Sequence, residues 1–310
     1  MLETRVPQPR SNRPDVARWW RRHYSNLIGY ALIAPFAIWV ILVIAYPVAN
    51  ALSLSFTNTR VIGSPSDFVG LGNYGTILGS ADFWSAVLRT AVWLLGNVVL
   101  QTVIAFGTAL FLCEAFWLAR VARVWVLLPW VIPTVAVAVI WQWLMNANYG
   151  VVSYLLQALH VIGSPLDVFG SRTGALPGLI LTNSWHWFPL SAIFVFGAMQ
   201  TIPVELYEAA RIDGAGAWAQ FRFITMPMLS KILFALGLVG GLWTSNVLDI
   251  PYLITRGGPV DSTTTLPVEI FDTAFRGLRV GQAAAMSILA VILIGSAAML
   301  YVKLMAPRDD

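Results

Sequence analysis

Two strongly apolar stretches of this 310-residue sequence contain amide, imidazole and indole side chains. Amide and imidazole groups can hydrogen-bond to hydroxyls, and indole rings can pack against apolar C–H faces. A sugar presents both kinds of surface. The residues that these stretches offer for a binding pathway are Asn183, Trp185, His186, Trp187, Trp243 and Asn246.

The depth of these groups favours a role in transport if each stretch crosses a membrane as a helix. At about 1.5 Å per residue, His186 lies roughly 15 Å from the outer end of its helix, with Asn183 one turn closer to that end. Polar groups at such depth are costly and are candidates for function. The alternative, in which His186 only bonds a neighbouring helix while Trp185 or Trp187 faces lipid, stays open. Bonding between helices is the favoured prediction for three other amides: Asn97, Gln101 and Gln142.

Motifs for nucleotide and metal chemistry are absent from the sequence. It contains no G-x-x-x-x-G-K-[ST] loop, so we expect this chain not to bind ATP, and it contains no H-E-x-x-H pair or Cys/His cluster. Its histidines, His23, His160 and His186, are too scattered to indicate a metal site. Cys113 is the single cysteine and can form no internal disulfide. We therefore expect a non-enzymatic chain with no cofactor or metal of its own.

A polar segment from residue 203 to residue 229 lies between two apolar stretches and is predicted to fold as helix, bend and helix. Pro203 suits a first helical turn, and Glu208 follows in the part of the helix where its dipole favours acids. A helix is therefore predicted to begin at Pro203.

The bend is predicted at Asp213 and Gly214. Gly214 would end the first helix in a left-handed cap, with Asp213 turning the chain toward the second helix. In that second helix Trp218 and Phe221 recur at roughly helical spacing, and Pro227 is predicted to end or kink it.

The spacing of this segment resembles the EAA loop of the permeases of binding-protein-dependent ABC importers: Glu208-Ala209-Ala210, three residues, Gly214, nine residues, Ile224, one residue, Met226-Pro227. The family usually has leucine in place of Met226, which is a volume-conserving apolar exchange. The resemblance implies that the loop docks on an ATPase subunit, and that the importer contains two such separate subunits, which bind ATP and Mg. The residues that it implies for ATPase coupling are Glu208, Ala209, Ala210, Asp213, Gly214, Trp218 and Phe221.

Two further segments resemble the sugar-importing branch of these permeases. Residues 68–74, FVGLGNY, are similar to the FVGLxNY segment that follows the first span, and Gly257-Gly258-Pro259 is similar to the GGP segment of maltose-type, first-of-pair permeases. The resemblance covers nearly the whole chain after residue 27. It implies a homologous second permease subunit and an extracytoplasmic solute-binding protein as partners, and a sugar or oligosaccharide as substrate.

The composition is that of a membrane protein, with 58% hydrophobic and 11% charged residues, against about half and about a quarter in an average soluble domain. Each long apolar segment reaches the roughly 20 residues that a helix needs to cross a bilayer. The sequence therefore predicts an all-α membrane protein with six transmembrane helices and the ABC type I importer permease fold. The six predicted spans are 27–54, 84–112, 124–144, 176–199, 232–254 and 283–305.

The distribution of Lys and Arg predicts the orientation. Thirteen of these residues fall on the side of the chain termini and of segment 203–229, and six fall on the other side. The positive-inside rule therefore puts both termini and the EAA-like loop in the cytoplasm of a multi-pass protein of the plasma (inner) membrane. The excess of basic over acidic residues thus reflects membrane orientation and does not indicate nucleic-acid binding.

The N-terminal region is predicted to be a cytoplasmic tail, residues 1–26, followed by the transmembrane permease domain, residues 27–310. In the tail, the adjacent aromatic and basic residues of segment 19–22 favour a short interfacial helix anchored in membrane lipid. The first apolar run is too long for the core of a signal peptide and is expected to remain as the first span.

One alternative from another functional class stays open, a self-sufficient secondary transporter or channel. In it Asp249 or His186 would handle a coupling ion. On a continuous helix Asp249 lies roughly 27 Å from Lys231 and thus near the outer interface, whereas Asn246 lies one turn deeper.

Overall fold

The computed structural model describes residues 16–114 and 117–306, which form helices joined by short connections. Apart from an isolated antiparallel bridge between Thr57 and Phe68, these described residues contain no β-structure. This agrees with the predicted all-α class. The predicted tail residues 1–15 and the side chains of segment 19–22 lie outside the described part of the chain.

The chain divides into two compact units, residues 1–53 and residues 54–310. The first unit contains helix α1 (Val16–Val40), a π-helical turn (Ile41–Ala45) and most of α2 (Tyr46–Ser55). The backbone of α1 passes the predicted boundary between residues 26 and 27 without a break. The run Ile28–Ser55 is long and apolar enough to cross a membrane, within one residue of the predicted first span.

The second unit supplies four more helices of sufficient length and apolarity: Ala81–Cys113, Ala175–Met199, Ala217–Ser245 and Val280–Met305. Its α-helices, in chain order, are α3 (Gly72–Leu78), α4 (Ala81–Cys113), α5 (Trp117–Trp125), α6 (Leu128–Val131), α7 (Thr134–Leu144), α8 (Val151–Ala158), α9 (Ala175–Met199), α10 (Val204–Ile212), α11 (Ala217–Gln220), α12 (Met226–Ser245), α13 (Asp249–Thr255), α14 (Leu266–Phe271) and α15 (Val280–Met305). Two π-helical turns, Phe221–Thr225 and Asp272–Arg276, precede α12 and follow α14.

The third predicted span is a bent pair of helices rather than a straight helix. Segments Trp117–Val131 and Thr134–Leu144 meet at 97° and together make the sixth candidate span. Ile132 and Pro133 are both extended at the junction, with ψ of 130° and 137°. A proline disfavours helical backbone in the residue before it, which explains why the helix breaks at this point.

The fifth predicted span ends earlier than expected. Helix α12 stops at Ser245, and Asp249 begins the separate helix α13, so the prediction of one continuous helix to residue 254 is wrong. The amide of Asn246 donates a hydrogen bond of 2.8 Å to the carbonyl of Leu242. Such a bond from a side chain to the backbone competes with the helical pattern and favours termination.

Pro227 lies inside a continuous helix, so of the two predicted outcomes, an end or a kink, the end does not occur. The helix runs from Ala217 to Ser245, and the π-helical turn just before Pro227 lets the N–H of Met226 reach the carbonyl of Phe221. The same arrangement, from Tyr46 to Ile41, precedes Pro47. Because proline has no N–H and its ring crowds the preceding turn, a locally wider helix accommodates it.

Close packing between helices fixes the second unit. A side chain at Gly96 of α4 would come within 2.8 Å of Ile180 of α9, and one at Gly237 of α12 would come within 2.3 Å of the Tyr301 hydroxyl of α15. At one end of the bundle, Phe106, Val195 and Leu229 belong to a single apolar cluster that also receives the segment after α9. These contacts set the positions of the two candidate regions described next.

Candidate functional site

The first candidate region is the 204–220 hairpin, made of α10, a bend and α11. Gly214 has φ of +79°, the left-handed conformation that glycine adopts at little cost. The N–H of Ala215 donates to the carbonyl of Ala210 at 2.8 Å, and the N–H of Gly214 donates to that of Arg211 at 3.1 Å. This is a complete Schellman cap, so the predicted left-handed bend at Gly214 is confirmed.

Two details of the hairpin differ from the prediction. Pro203 is the residue before the helix, with ψ of 131°, rather than a member of its first turn. Asp213 is the C-cap of α10, and Gly216, not Asp213, precedes the first residue of α11. Proline and acidic residues are both common at several positions near helix ends, so the sequence did not fix which position Pro203 and Asp213 would occupy.

Side-chain hydrogen bonds tie the two arms of the hairpin together. The hydroxyl of Tyr207 in α10 lies 2.9 Å from that of Thr225 in the π-helical turn, and the amide of Gln220 donates to the carbonyl of Ala215 at 2.9 Å. The Tyr207 bond joins α10 to the π-helical turn, and the Gln220 bond fastens α11 to the bend. The two arms of the hairpin are therefore held in a fixed arrangement.

The outer face of the hairpin combines large apolar side chains with charges. Ile212 is 88% exposed and Trp218 is 74% exposed, and Glu208 and Asp213 are also exposed. Ala209 is exposed beside Glu208. Exposed apolar residues with a charged rim are typical of a surface that another protein covers.

An aromatic series joins this face to a membrane helix. The rings of Trp218 and Phe221 stack with centroids 5.3 Å apart, and Phe221 meets Phe106 of α4 edge to face at 5.4 Å. Phe106 belongs to the apolar cluster at this end of the bundle. The three rings thus form a continuous series of contacts from the hairpin to α4.

The second candidate region is the tryptophan pair, Trp187 of α9 and Trp243 of α12. Their ring centroids lie 5.5 Å apart at an interplanar angle of 40°. Both rings line a cavity of about 530 Å³, which Asn246, Asp249 and Tyr252 also line. The structure therefore brings together three of the six predicted pathway residues, Trp187, Trp243 and Asn246.

A second cavity, of about 270 Å³, adjoins the same two rings deeper in the bundle. The amide and hydroxyl residues that line it are Gln101, Thr102, Ser191 and Thr244. Aromatic faces with a few hydroxyl and amide groups can bind the apolar and polar surfaces of one ligand together. The tryptophan pair is thus common to two cavities of matching chemistry.

The other three predicted pathway residues are packed between helices. Asn183 is fully buried and its amide donates to Asn97 Oδ1 at 2.7 Å, while its own Oδ1 atom has no partner among the described residues. His186 Nδ1 lies 2.8 Å from the carbonyl of Pro129. Trp185 meets Trp141 edge to face at 5.7 Å. Asn183 and His186 therefore do not line the cavities that Trp187 and Trp243 share.

Two of the three amides predicted to bond between helices do so: Asn97 of α4 accepts the bond from Asn183 of α9, and Gln142 of α7 donates to the carbonyl of Ile254 of α13 at 2.9 Å. The prediction is wrong for Gln101, whose amide donates to Asn97 within α4 at 3.4 Å and which lines the cavity of about 270 Å³. The contact of His186 also joins two helices, since His186 is in α9 and Pro129 is in α6. It secures the broken third span against α9.

Sequence reasoning missed Ser191 and Tyr252 as cavity-lining residues. A signal for Ser191 was present, because it follows Trp187 by four residues and so shares its helix face. No such signal existed for Tyr252, since its position depends on the break after Ser245.

The loops at the end of the bundle opposite the hairpin are held by a dense hydrogen-bond network. The amide of Asn73 donates to the carbonyls of Ser55 and Thr57, each at 2.8 Å. In the GGP segment, Thr263 donates to the carbonyl of Gly258 at 2.8 Å and Thr264 to that of Gly257 at 3.1 Å. Both segments that resemble family motifs are therefore rigid parts of the fold.

No group of three or more metal-ligating side chains occurs in the described part of the chain. The candidate sites therefore rest on aromatic, amide and hydroxyl groups.

The sequence of residues 101–308 matches the family described as binding-protein-dependent transport system inner membrane component. The trehalose/maltose transport system permease protein MalF of Thermococcus litoralis is 31% identical over 283 residues, which are 91% of this chain and 95% of that protein. The sulfoquinovosyl glycerol transport system permease protein SmoG of Agrobacterium fabrum is 30% identical over 97% of this chain and 98% of its own.

Among solved structures, a chain of a bacterial ABC transporter involved in the import of the acidic polysaccharide alginate has the same fold. The TM-score is 0.78 at 19% identity, over 94% of this chain and 100% of that chain. A second structure of such an alginate transporter, in complex with a periplasmic protein that holds an alginate pentasaccharide, gives the same TM-score. With the family match and the relatives of 30% identity or more, these findings establish that this chain belongs to the family of inner membrane components of binding-protein-dependent transport systems.

Proposed function

We propose that this chain is the membrane-spanning permease subunit of an ATP-driven importer for a sugar or oligosaccharide. The observation that carries the proposal is the Schellman-capped 204–220 hairpin, which presents an apolar and charged face at one end of a membrane bundle. The sugar class is supported by the relatives for trehalose, maltose and sulfoquinovosyl glycerol. The chain itself performs no catalysis.

The hairpin receives the ATPase subunits. Ile212 and Trp218 enter apolar recesses of the partner, and Glu208 meets one of its cationic side chains. ATP and Mg bind to those partner subunits and not to this chain. Closure of the ATPases moves the hairpin as one piece and, through Trp218, Phe221 and Phe106, tilts α4.

The sugar passes the tryptophan pair. Indole faces pack against its C–H surfaces, while Asn246 in one cavity and Gln101 in the other bond its hydroxyls. Because the permease pairs with a homologous second subunit, the other wall of the pathway belongs to that partner.

The transporter lies in the inner membrane with both termini and the hairpin in the cytoplasm. The excess of Lys and Arg on that side supports this orientation. The opposite end of the bundle, with the Asn73 and GGP loops, then faces outward and receives the extracytoplasmic binding protein.

Reconstitution tests the proposal. The chain, its second permease and the ATPase subunits are placed in vesicles with and without ATP, and uptake of labelled sugar from the loaded binding protein is measured. We expect uptake only with ATP and with all subunits. Uptake by this chain alone, driven by an ion gradient, would contradict the proposal and favour a secondary transporter.

A further inference from the structure

A cavity that the tryptophan pathway does not use lies at the end of the bundle opposite the hairpin. We call it the arginine pocket, and its volume is about 570 Å³. Two segments far apart in sequence form it, the turn after α2 and the turn before α15. The residues that line it are Asn58, Thr59, Arg60, Val61, Asn73, Gly277, Leu278, Arg279 and Gln282.

The two segments are bonded to each other, so the pocket has fixed walls. The N–H of Gly281 donates to the carbonyl of Thr59 at 2.9 Å, and the absence of a side chain at Gly281 allows this approach, since a Cβ there would come within 2.1 Å of the Thr57 carbonyl oxygen. The hydroxyls of Thr57 and Thr59 lie 2.6 Å apart. The Asn73 amide holds the same segment by donating a hydrogen bond to the carbonyl of Thr57.

The second wall is shaped by an unusual backbone. Leu278 has φ of +50°, a conformation that costs an L-residue free energy, and the N–H of Arg279 is bound at 3.0 Å to the carbonyl of Thr273. The Arg279 guanidinium lies over Gly277, where a Cβ would come within 3.3 Å of its Nε atom. The turn thus aims Arg279 at the cavity.

Both guanidinium groups are available to a partner. Arg60 and Arg279 are exposed and form no ion pair with any described residue. Two carboxylates lie near the pocket, but neither lines it. Asp67 accepts a hydrogen bond from Asn58 at 3.2 Å, and Glu269 interacts electrostatically with Arg279. Half-buried Gln282 adds an amide group beside the two cations, whereas the Asn58 amide is bonded to Asp67 through both its nitrogen and its oxygen.

We propose that the arginine pocket receives an acidic side chain, Asp or Glu, of the extracytoplasmic binding protein. A guanidinium binds a carboxylate through two parallel hydrogen bonds, and the neighbouring Gln282 amide supplies further donors. The fixed walls mean that little order is lost on docking. This inference rests on the proposed function, because it requires a binding protein at this end of the bundle.

The test uses the assembled transporter in nanodiscs and its own sugar-loaded binding protein. Stimulated ATP hydrolysis is titrated against binding protein for the wild type, for the double variant Arg60→Glu/Arg279→Glu, for the corresponding double Lys variant, and for the matched control Arg172→Glu. Arg172 is also exposed and lies on the same predicted side, outside the pocket. Basal hydrolysis and membrane yield are measured to verify assembly.

We expect the double Glu variant to raise the half-saturating concentration of binding protein about tenfold or more and to reverse its dependence on salt, because salt screens the new repulsion between carboxylates. The Lys variant should recover much of the response, since it keeps the charges, and the control should resemble the wild type. A double Glu variant with normal titration, or an equal loss in Arg172→Glu, would overturn the inference. So would a defect that occurs only in nanodiscs with anionic lipid, because the pocket would then bind headgroups. Failure of the wild type to respond to loaded binding protein would instead contradict the proposed function.

Discussion

The 204–220 hairpin and the tryptophan pair are stabilised in different ways. The hairpin depends on bonds between residues close in sequence, such as those from Ala215 to Ala210 and from Gly214 to Arg211. The tryptophan pair depends on two helices that meet across the bundle, with Trp187 and Trp243 separated by more than fifty positions. The difference indicates that one region is a preformed rigid element and the other is a space whose shape follows the helices around it.

The same difference implies a division of labour. A rigid hairpin can pass on movement from a partner, whereas a cavity between helices can open and close on a ligand when those helices move. Damage to the hairpin should therefore lower stimulated ATP hydrolysis and transport together. Damage to the tryptophan pair should weaken the handling of sugar and leave the response to ATP in place.

The largest effect is expected from Gly214→Val. A Cβ at this position meets no atom within 4 Å, so crowding is not the problem, but φ of +79° costs an L-residue about 1–2 kcal/mol, and more when it is β-branched. The bend should re-form with α11 pointing elsewhere. We expect stimulated ATP hydrolysis to fall about tenfold or more in reconstituted complexes, with normal insertion of the chain.

Gly216→Ala is the matched control for this change. Gly216 also has open space around it, but its φ is −69°, which alanine adopts without strain. Near-normal hydrolysis is expected. If Gly214→Val behaved as well as Gly216→Ala, the hairpin would not depend on the left-handed cap.

The next effect is expected from Trp187→Ala and Trp243→Ala. Each removes one indole face from both cavities, and aromatic packing of this kind is worth about 0.5–1.5 kcal/mol beyond the buried area. Sugar uptake should fall roughly two- to tenfold at limiting concentration, while hydrolysis stimulated by the loaded binding protein persists.

Trp143→Ala serves as control for the tryptophan variants. Trp143 meets Tyr149 edge to face at 5.7 Å and is 66% exposed, but it lines neither cavity. Uptake in this variant should match the wild type. Equal losses in all three variants would indicate a general effect of removing tryptophan.

A smaller effect, on stability rather than transport, is expected from His186→Ala. The change leaves the buried carbonyl of Pro129 without its partner, at a cost of about 1–3 kcal/mol. The thermal unfolding midpoint of the purified complex should fall by several degrees, and the sugar concentration for half-maximal uptake should stay constant. His160→Asn, at an exposed left-handed position that asparagine tolerates, should leave the midpoint unchanged. A higher sugar concentration for half-maximal uptake in His186→Ala would contradict this prediction and indicate that His186 contacts the sugar.

The smallest effect concerns Glu269 in α14. Burial, followed by the charges of Asp82, Asp272 and Asp261, raises the pKa of its carboxyl, with Arg279 acting in the opposite direction. Because the raised pKa favours the neutral form in the folded state, its stabilising contribution is present at low pH and is lost as the pH rises through the folded-state pKa. Glu269→Gln should therefore flatten the pH dependence of the unfolding midpoint between acidic and neutral pH. An unchanged pH profile would contradict this assignment.

The contrast between the two regions also explains what the sequence could predict. Four of the six spans and the bend of the hairpin depend on local signals, apolar length in one case and Asp213-Gly214 in the other, and those spans were placed to within three residues. The break of the third span at Pro133 and the early end of α12 at Ser245 depend on contacts of the surrounding bundle. The presence of a proline does not by itself predict a helix break, since Pro227 and Pro47 lie inside continuous helices, each after a π-helical turn.

Side-chain direction within the spans was the part that sequence could not supply. Depth along a helix can be counted, and it placed Asn183, His186 and Asn246 in the membrane. The direction in which a side chain points depends on the neighbouring helices. Asn183 bonds Asn97 and His186 contacts the carbonyl of Pro129, whereas Asn246 lines a cavity. A helix with polar residues on several faces has no single apolar stripe from which to read its orientation.

The number of ATP molecules hydrolysed per sugar imported, measured in the same vesicles, tests the division of labour most directly. In Trp243→Ala this ratio should rise, because hydrolysis continues while uptake falls. In Gly214→Val hydrolysis itself should lose its response to loaded binding protein, with residual uptake falling in parallel. Identical ratios and identical losses in the two variants would contradict the account, since the hairpin and the tryptophan pair would then not have separate roles.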